Sequence, residues 1–302
     1  MKIGEGGERM GLKWEPLSME RREDYGERFG LTPERSAHYT FASLWGWNVN
    51  CGYEWAWDGP LVWIRANIPS RLPMAPVGDW NAVDWGSILP DRILPGTVFY
   101  DVPTGLARLW EQALPGRVES ALSRREWEYV HRVENLVALR GNRFRTKAQK
   151  LKRFMETFRP EFVPIGAENL DEVRAFQDEW CREKGCGLQR ELVEEDLAIK
   201  ATLNDWRRLP GLFGGMLKVE GRTAAYTLAE PLDGETVVIR FEKASGEFRD
   251  AYQAVNRIFL ERACGDYTWV NREEDMGDPG MREAKMSYRP DRFLEKVTAR
   301  IS

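Results

Sequence analysis

Between Gly211 and Lys243 three apolar runs, GLFGGMLKVEG, RTAAYTLAEPL and ETVVIRFEK, follow one another with Glu220-Gly221 and Asp233-Gly234 at the joints. Runs rich in Val, Ile, Leu, Phe and Tyr, joined by an acid-Gly pair, read as successive antiparallel strands, because Gly readily supplies the positive φ of a tight turn. No other feature restricts the fold so strongly: the strands need a sheet, and the sheet needs a cover. The flanks supply it. FVPIG (162–166) reads as a strand, and Asn169 with Glu172 resembles a capping box opening a helix that carries Val173, Phe176 and Trp180 on one face. A second helix is expected over 190–207, and another over 247–264 with Ala251, Val255, Ile258 and Phe259 at helical spacing. YTWVN (267–271) and FLEKVTARI (293–301) read as further strands.

The first half shows a similar order. LKWEPLS (12–18) reads as a short strand, followed by a charged helix to Phe29. Thr32-Pro33 reads as a helix start, leading to a face of Ala37, Phe41, Leu44 and Trp45. CGYEWAWDGPLVWIRAN (51–67) reads as a hairpin turning at Asp58-Gly59-Pro60. PMAPV, a helix near 80–88, the strand GTVFYDV and a helix from Pro103 to Leu114 follow. The order repeats without residue-level similarity. It gives a loose segment 1–10, a domain over 11–138, a linking helix over 139–158 and a second domain over 159–302. A chain of 302 residues with 42% hydrophobic residues can bury two such cores. Trp45, Trp47, Trp55, Trp57 and Trp63, among 13 Trp, are expected in core and domain-interface packing rather than in a ligand cage.

The N-terminus MKIGEGGERMG lacks the apolar stretch of a signal peptide, and no run of about 18 apolar residues occurs. A cytoplasmic protein without a membrane segment is expected. Cys51, Cys181, Cys186 and Cys264 follow no metal spacing, and His38 and His131 are the two His of the chain. No metal site is expected, and free thiols fit a reducing compartment.

The net charge of −4 advertises no global attraction to nucleic acid, so any basic surface must be local. One is legible. Arg140, Arg143, Arg145, Lys147, Lys150, Lys152 and Arg153 crowd LRGNRFRTKAQKLKRFMETF (139–158), with Glu156 the one acid. On a helix, Phe144, Ala148, Leu151, Met155 and Phe158 share one face, while Arg143, Lys147 and Lys150 share another. Such a basic face suits phosphate or carboxylate ligands, or else a solvated linker helix paired with neighbouring acids.

The segment NREEDMGDPGMREAKMSYRP (271–290) concentrates charge near the end of the chain. Asp278-Pro279 reads as a helix start, with Met281, Ala284, Lys285 and Tyr288 brought near one another. Arg272, Glu273, Glu274 and Asp275 lie between strand and helix. They suit either a structural ion-pair network or a grip on a substrate ammonium. Glu242 and Lys243 end the strand ETVVIRFEK, and on a regular strand they point to opposite faces, so either could face a cleft.

Taken together, YTFASLWGW (39–47), EYVHRVENLVALRGNRFRTKAQKLKRF (128–154), FGGMLKVEGRTAAYTLAE (213–230), VVIRFEKA, AYQAVNRIF and NREEDMGDPGMREAKMSYRP resemble the family of the phosphatidylglycerol lysyltransferase C-terminal domain, in a free-standing branch. The resemblance implies an α+β fold of two tandem GNAT-like acyltransferase domains, each a mainly antiparallel sheet flanked by helices. It implies similarity also to Fem-type transferases that use aminoacyl-tRNA. Two departures stand out: Lys147-Ala148-Gln149 where the family tends to carry Lys-Arg-Asn, and His131 where Tyr is common.

The implied activity is acyl or aminoacyl transfer, with tRNA or another phosphate-bearing donor and a small-molecule or peptide acceptor. Glu242 and Lys243 are the catalytic candidates. Arg272, Glu273, Glu274, Asp275, Arg282, Lys285 and Tyr288 would hold substrate, and Arg140, Arg143, Arg145, Lys147 and Lys150 would hold donor phosphates. No further cofactor is implied. An acetyl-CoA enzyme is the alternative, but its Gly-rich pyrophosphate turn is replaced by EKASGEFRDAY, where acids flank Gly246. The other alternative is a non-catalytic binding protein on the same scaffold.

Overall fold

The three-strand meander is present, over Phe213–Val219, Arg222–Pro231 and Thr236–Ala244, within a computed structural model that describes residues 11–209 and 211–302. In chain order the first half forms β1 (Glu15–Pro16), α1 (Arg22–Gly30), α2 (Phe41–Cys51), β2 (Glu54–Asp58), β3 (Leu61–Ala66), β4 (Leu72–Gly78), α3 (Trp85–Arg92), β5 (Val98–Pro103), α4 (Thr104–Ala113) and β6 (Val118–Leu122). It continues with β7 (Glu128–Arg132), α5 (Val133–Ala138), α6 (Arg145–Phe158), β8 (Glu161–Ile165), α7 (Leu170–Lys184) and α8 (Arg190–Asn204). The meander is β9, β10 and β11. Then come α9 (Ala251–Ala263), β12 (Trp269–Asn271), α10 (Pro279–Met286), β13 (Arg292–Leu294) and β14 (Lys296–Ile301). The segment 1–10 expected to be loose lies outside the described residues.

Two seven-stranded sheets result, ordered β1-β2-β3-β4-β5-β14-β6 and β13-β7-β12-β11-β10-β9-β8. The pairs β4/β5 and β11/β12 are parallel, and each lies within an otherwise largely antiparallel sheet. The chain divides into two compact units. Of the described residues, the first holds those from 11 to 128 together with Glu274–Gly277 and Leu294–Ser302, and the second holds Tyr129–Glu273 and Asp278–Phe293. The basic segment 139–158 therefore lies within the second unit, and the final strand within the first.

The first unit has an aromatic core. Trp55, Trp63, Trp110 and Phe99 are buried, and the Phe99 ring sits 5.0 Å from Trp110 and 6.3 Å from Trp63. The hairpin at Asp58-Gly59-Pro60 forms as read. The helix start does not lie at Thr32-Pro33. Thr40 caps α2 instead, its Oγ1 accepting from the Ser43 N–H at 3.2 Å, while the Thr32 hydroxyl accepts from the Gly78 N–H at 2.9 Å. Thr32 is thus used for a tertiary contact, a role its local sequence does not show. The capping box also fails in part. Asn169 stands at the N-cap, but its side-chain Oδ1 accepts from the Gly166 N–H and Glu172 pairs with Lys218 at 2.5 Å.

In the second unit, α9 packs across the sheet with Phe259, Ile258 and Val255, and α6 lies against it through Leu151, Phe154 and Phe158. The inward stripe of α6 differs from expectation. Phe154 is fully buried, whereas Met155 is 40% exposed. The stripe runs Phe144, Leu151, Phe154, Phe158, and Lys147 falls on it at helical spacing. Asp278 caps α10 as read, accepting from the Met281 N–H. Cys181 and Cys186 form a disulfide across the α7–α8 connection, so the expectation of free thiols holds for Cys51 and Cys264 alone. Among the described residues, no helix is long and apolar enough to cross a membrane.

Candidate functional site

A bulge in β11 sets the geometry. Leu228 pairs with Phe241 and Ala229 with Ile239, which leaves Arg240 as the extra residue. An extra residue shifts the alternation of side chains along a strand. Before it, Val237 and Ile239 pack with Phe259 of α9, and after it Ala244 packs with Ala254 and Val255 of the same helix. Glu242 shares the parity of Ala244. Its Oε2 accepts from Asn256 Nδ2 of α9 at 3.1 Å, and its Oε1 lies 3.3 Å from Arg272 Nη2. Burial raises the Glu242 pKa above the ordinary carboxylate range, against the opposing pull of Arg272, the Asn256 hydrogen bond and Lys285.

Lys243 points the other way. Its Nζ lies 2.6 Å from Glu195 Oε1 on α8 and 4.5 Å from the Trp180 ring centroid on α7. Arg240, re-aimed by the bulge, pairs with Glu230 and Glu273. The two sequence-predicted catalytic residues are therefore parts of two different clusters.

Arg272 is the hub of the Glu242 cluster. Its N–H donates to the Tyr129 carbonyl at 2.9 Å, and its own carbonyl accepts from Lys285 Nζ at 2.7 Å. Its guanidinium lies 4.7 Å from the Tyr288 ring centroid, and Lys147 Nζ lies 4.1 Å from that same ring. Burial, with Lys150 and Arg272 nearby, lowers the Lys147 pKa to about 8. His131, on β7, meets the Tyr288 ring edge-on at 6.5 Å. Burial, then Arg272 and Lys285, lowers its pKa to about 3, so it is neutral.

The remaining predicted residues separate. Glu273 serves Arg240. Glu274 and Asp275 belong to the first unit, where Glu274 meets His38 at 2.9 Å and the fully buried Asp275 meets Arg124 at 3.1 Å. Left-handed φ at Glu273 (56°) and Met276 (51°) turns the chain between these partners. Arg282 lies on α10, its N–H donating to the Asp278 carbonyl. On the basic segment, Arg143 stacks 4.8 Å from its neighbour Phe144, Lys152 pairs with Glu156 at 3.7 Å, and Arg153 holds Asp250 at 2.8 Å. Arg145 and Lys152 line a surface depression of about 490 Å³ with Leu139, Gly141, Asn142, Ala148 and Gln149. Arg140 is exposed, and Lys150 half-buried.

Two carboxylates guard the N-terminus of α9. Asp250 stands at its N-cap, held by Arg153, and Glu247 pairs with Arg222 at 2.8 Å. A pyrophosphate approaching this helix end would meet them.

The sequence reading missed a buried cluster in the first unit. Lys296 Nζ lies 2.8 Å from Glu128 Oε1 with both side chains fully buried, and 3.7 Å from Asp101 Oδ1. His38 stands between Asp101 (Nδ1 to Oδ2, 3.4 Å) and Glu274 (Nε2 to Oε1, 2.9 Å). Burial disfavours its charged form, Glu274 and Asp101 outweigh this, and its pKa is raised well above the ordinary value despite Lys296. The one local signal was a lysine in an alternating apolar strand, Lys296. Among the described residues no group of three or more His, Cys, Asp or Glu is disposed to hold a metal.

Both sheets carry the α+β architecture of GNAT-like folds. A conserved protein of unknown function from Bacteroides thetaiotaomicron is 26% identical, with a TM-score of 0.88 over 97% of this chain and 100% of that one. The C-terminal domain of an Agrobacterium fabrum protein assigned as a lysylphosphatidylglycerol synthetase is 14% identical, with a TM-score of 0.63 over 93% and 90%. L-PGS from Bacillus licheniformis is 15% identical, with a TM-score of 0.62 over 100% and 94%. No curated protein matches the chain. The family model described as phosphatidylglycerol lysyltransferase, C-terminal, matches residues 29–300, and the chain belongs to that family.

Proposed function

We propose that the protein is an acyl or aminoacyl transferase whose reaction centre is the Glu242 cluster, with aminoacyl-tRNA as donor and an amine or hydroxyl as acceptor. The observation that carries this is Glu242 itself: a buried carboxylate of raised pKa, 3.3 Å from Arg272 and 3.1 Å from Asn256. A carboxylate raised in this way is suited to proton transfer. The acceptor nitrogen or oxygen forms the new bond to the ester carbonyl carbon and passes its proton to Glu242. The carbon–oxygen bond to the donor ribose then breaks, and that proton goes to the leaving oxygen. Arg272 and Lys285 supply positive charge for the oxyanion between the two steps. The exposed face with Arg140, Arg143 and Arg145, with Lys150 beside it, would meet the donor phosphates.

Acetyl-CoA as donor is disfavoured by Asp250 and Glu247 at the start of α9. A non-catalytic recognition role is the second reading, favoured by the partners Glu242 already has in Arg272 and Asn256. Binding of charged tRNA, uncharged tRNA and acetyl-CoA across a salt series tests the proposal. The expected result is steeply salt-dependent tRNA binding, tighter for the charged form, and acyl transfer to added amines that is lost in Glu242→Gln. Saturable acetyl-CoA binding alone would overturn the donor assignment. Binding of charged tRNA with no transfer to any acceptor would favour recognition without catalysis.

A further inference from the structure

The Glu242 cluster is unbalanced in hydrogen bonding. Arg272 pairs with Glu242 and shares the Tyr288 ring with Lys147. Lys243, the next cation in sequence, is turned away to Glu195. Buried donors are normally satisfied. Here Arg272 Nη1 is buried without a hydrogen-bond partner, and His131 is fully buried with neither ring nitrogen bonded. Leaving such groups unpaired is costly, because they have given up water for nothing. The arrangement suits an anion that arrives with its own acceptor oxygens.

We propose that Arg272, His131 and Lys147 form a phosphate-binding subsite beside Glu242. This rests on the aminoacyl-transfer reading for the choice of anion: an aminoacyl ester has lost its α-carboxylate, so the anions that every such donor offers are phosphates. Arg272 Nη1 supplies a charged donor. His131, neutral in this surrounding, supplies one N–H without adding to the local positive charge. Lys147 enters from the inward stripe of α6 and supplies charge where the cluster reaches solvent, for it is half-buried and the Arg272 side chain is 13% exposed. The Tyr288 ring carries a cation from each of two elements, Arg272 and Lys147. Lys147 thereby differs from the exposed Arg145 on the same helix, which would give delocalised attraction rather than a site.

Calorimetric titration of the whole protein with inorganic phosphate at low salt tests this, with acetate and uncharged tRNA as parallel probes. The expected result is saturable one-to-one phosphate binding that acetate does not displace and that uncharged tRNA does. Lys147→Met and His131→Phe should each weaken it at least about ten-fold, the worth of one hydrogen bond to a charged group. His131→Gln, which keeps an N–H, should retain most of it, and Lys152→Met, on the same helix but paired with Glu156, should leave it unchanged. Phosphate binding no tighter than acetate, or equal in Lys147→Met and the parent, would overturn the subsite. Displacement by acetate would reassign it to carboxylates. These outcomes are separate from the transferase reading: transfer activity with phosphate binding indifferent to His131 and Lys147 sinks this inference alone. Phosphate binding that depends on both, without transfer, leaves the subsite standing and removes the donor assignment.

Discussion

Glu242 and Lys243 are consecutive residues that serve different faces of one strand, Glu242 meeting Arg272 at 3.3 Å and Lys243 meeting Glu195 at 2.6 Å. Their substitutions should therefore part company. Glu242→Gln should lower transfer by about a hundred-fold or more while leaving stability within about 1 kcal/mol. Lys243→Met should remove the partner of Glu195 and cost about 2 kcal/mol, between the values for surface and buried pairs. Urea denaturation beside a transfer assay separates the two. Equal loss of activity with no loss of stability in both variants would contradict the division of faces.

Lys296 and Glu128 are both fully buried, 2.8 Å apart. Removing one partner strands the other charge, so Lys296→Met should cost about 3–5 kcal/mol. The double change Lys296→Met with Glu128→Leu should recover much of that. The Glu128 pKa is held below its ordinary value: burial would raise it, and Lys296 with His38 overcomes burial. Its contribution to stability is thus present above pH about 4.5 and is lost as pH falls through the depressed folded value. Unfolding curves of parent and double variant between pH 3 and 6, in steps of about one pH unit, should converge at the acid end.

His38 has the opposite sign. Its folded pKa is raised, so its contribution is complete below pH about 6.5 and fades as pH rises through the folded value. The difference in melting temperature between the parent and His38→Gln should be largest in mild acid and shrink toward alkaline pH. A difference that grows with pH would show that the imidazole is neutral between Asp101 and Glu274.

The Cys181–Cys186 disulfide closes a short loop, with a sequence separation of 5. Loop closure of that size stabilises by about 2 kcal/mol in the chain-entropy estimate. Reduction, or Cys181→Ala with Cys186→Ala, should lower the melting temperature by a few degrees, roughly 2–4 °C for a chain near this size. Mass measurement of thiol-blocked protein checks the bond itself: two blocked cysteines before reduction and four after are expected, from two free and four total.

Much of the architecture could be read locally. The meander, the hairpin at Asp58-Gly59-Pro60 and the Asp278 cap rest on turn and capping chemistry within a few residues, which the sequence states directly. The Thr32 reading failed because its hydroxyl is used by Gly78, far along the chain. The face of α6 was misjudged by one position. Met155 and Phe154 are both apolar neighbours, and only the packing of Phe154 against α9 settles which turns inward and carries Lys147 with it.

The sequence by itself determined the element types, the family and the presence of a charged segment after β12. The element types and the charged segment follow from periodicity and turn residues, which are local, and the family from the motifs the chain shares with it. Tertiary structure decided which charges meet. The bulge at Arg240 turns Glu242 toward α9, and no periodicity in ETVVIRFEK announces it. Arg272, Glu273, Glu274 and Asp275 go to four different partners because the backbone turns sharply among them. His38, Asp101, Glu128, Glu274 and Lys296 meet from across the whole chain. A buried charge is tolerated where an opposite charge is within reach, and reach is a property of the folded chain, not of spacing along it.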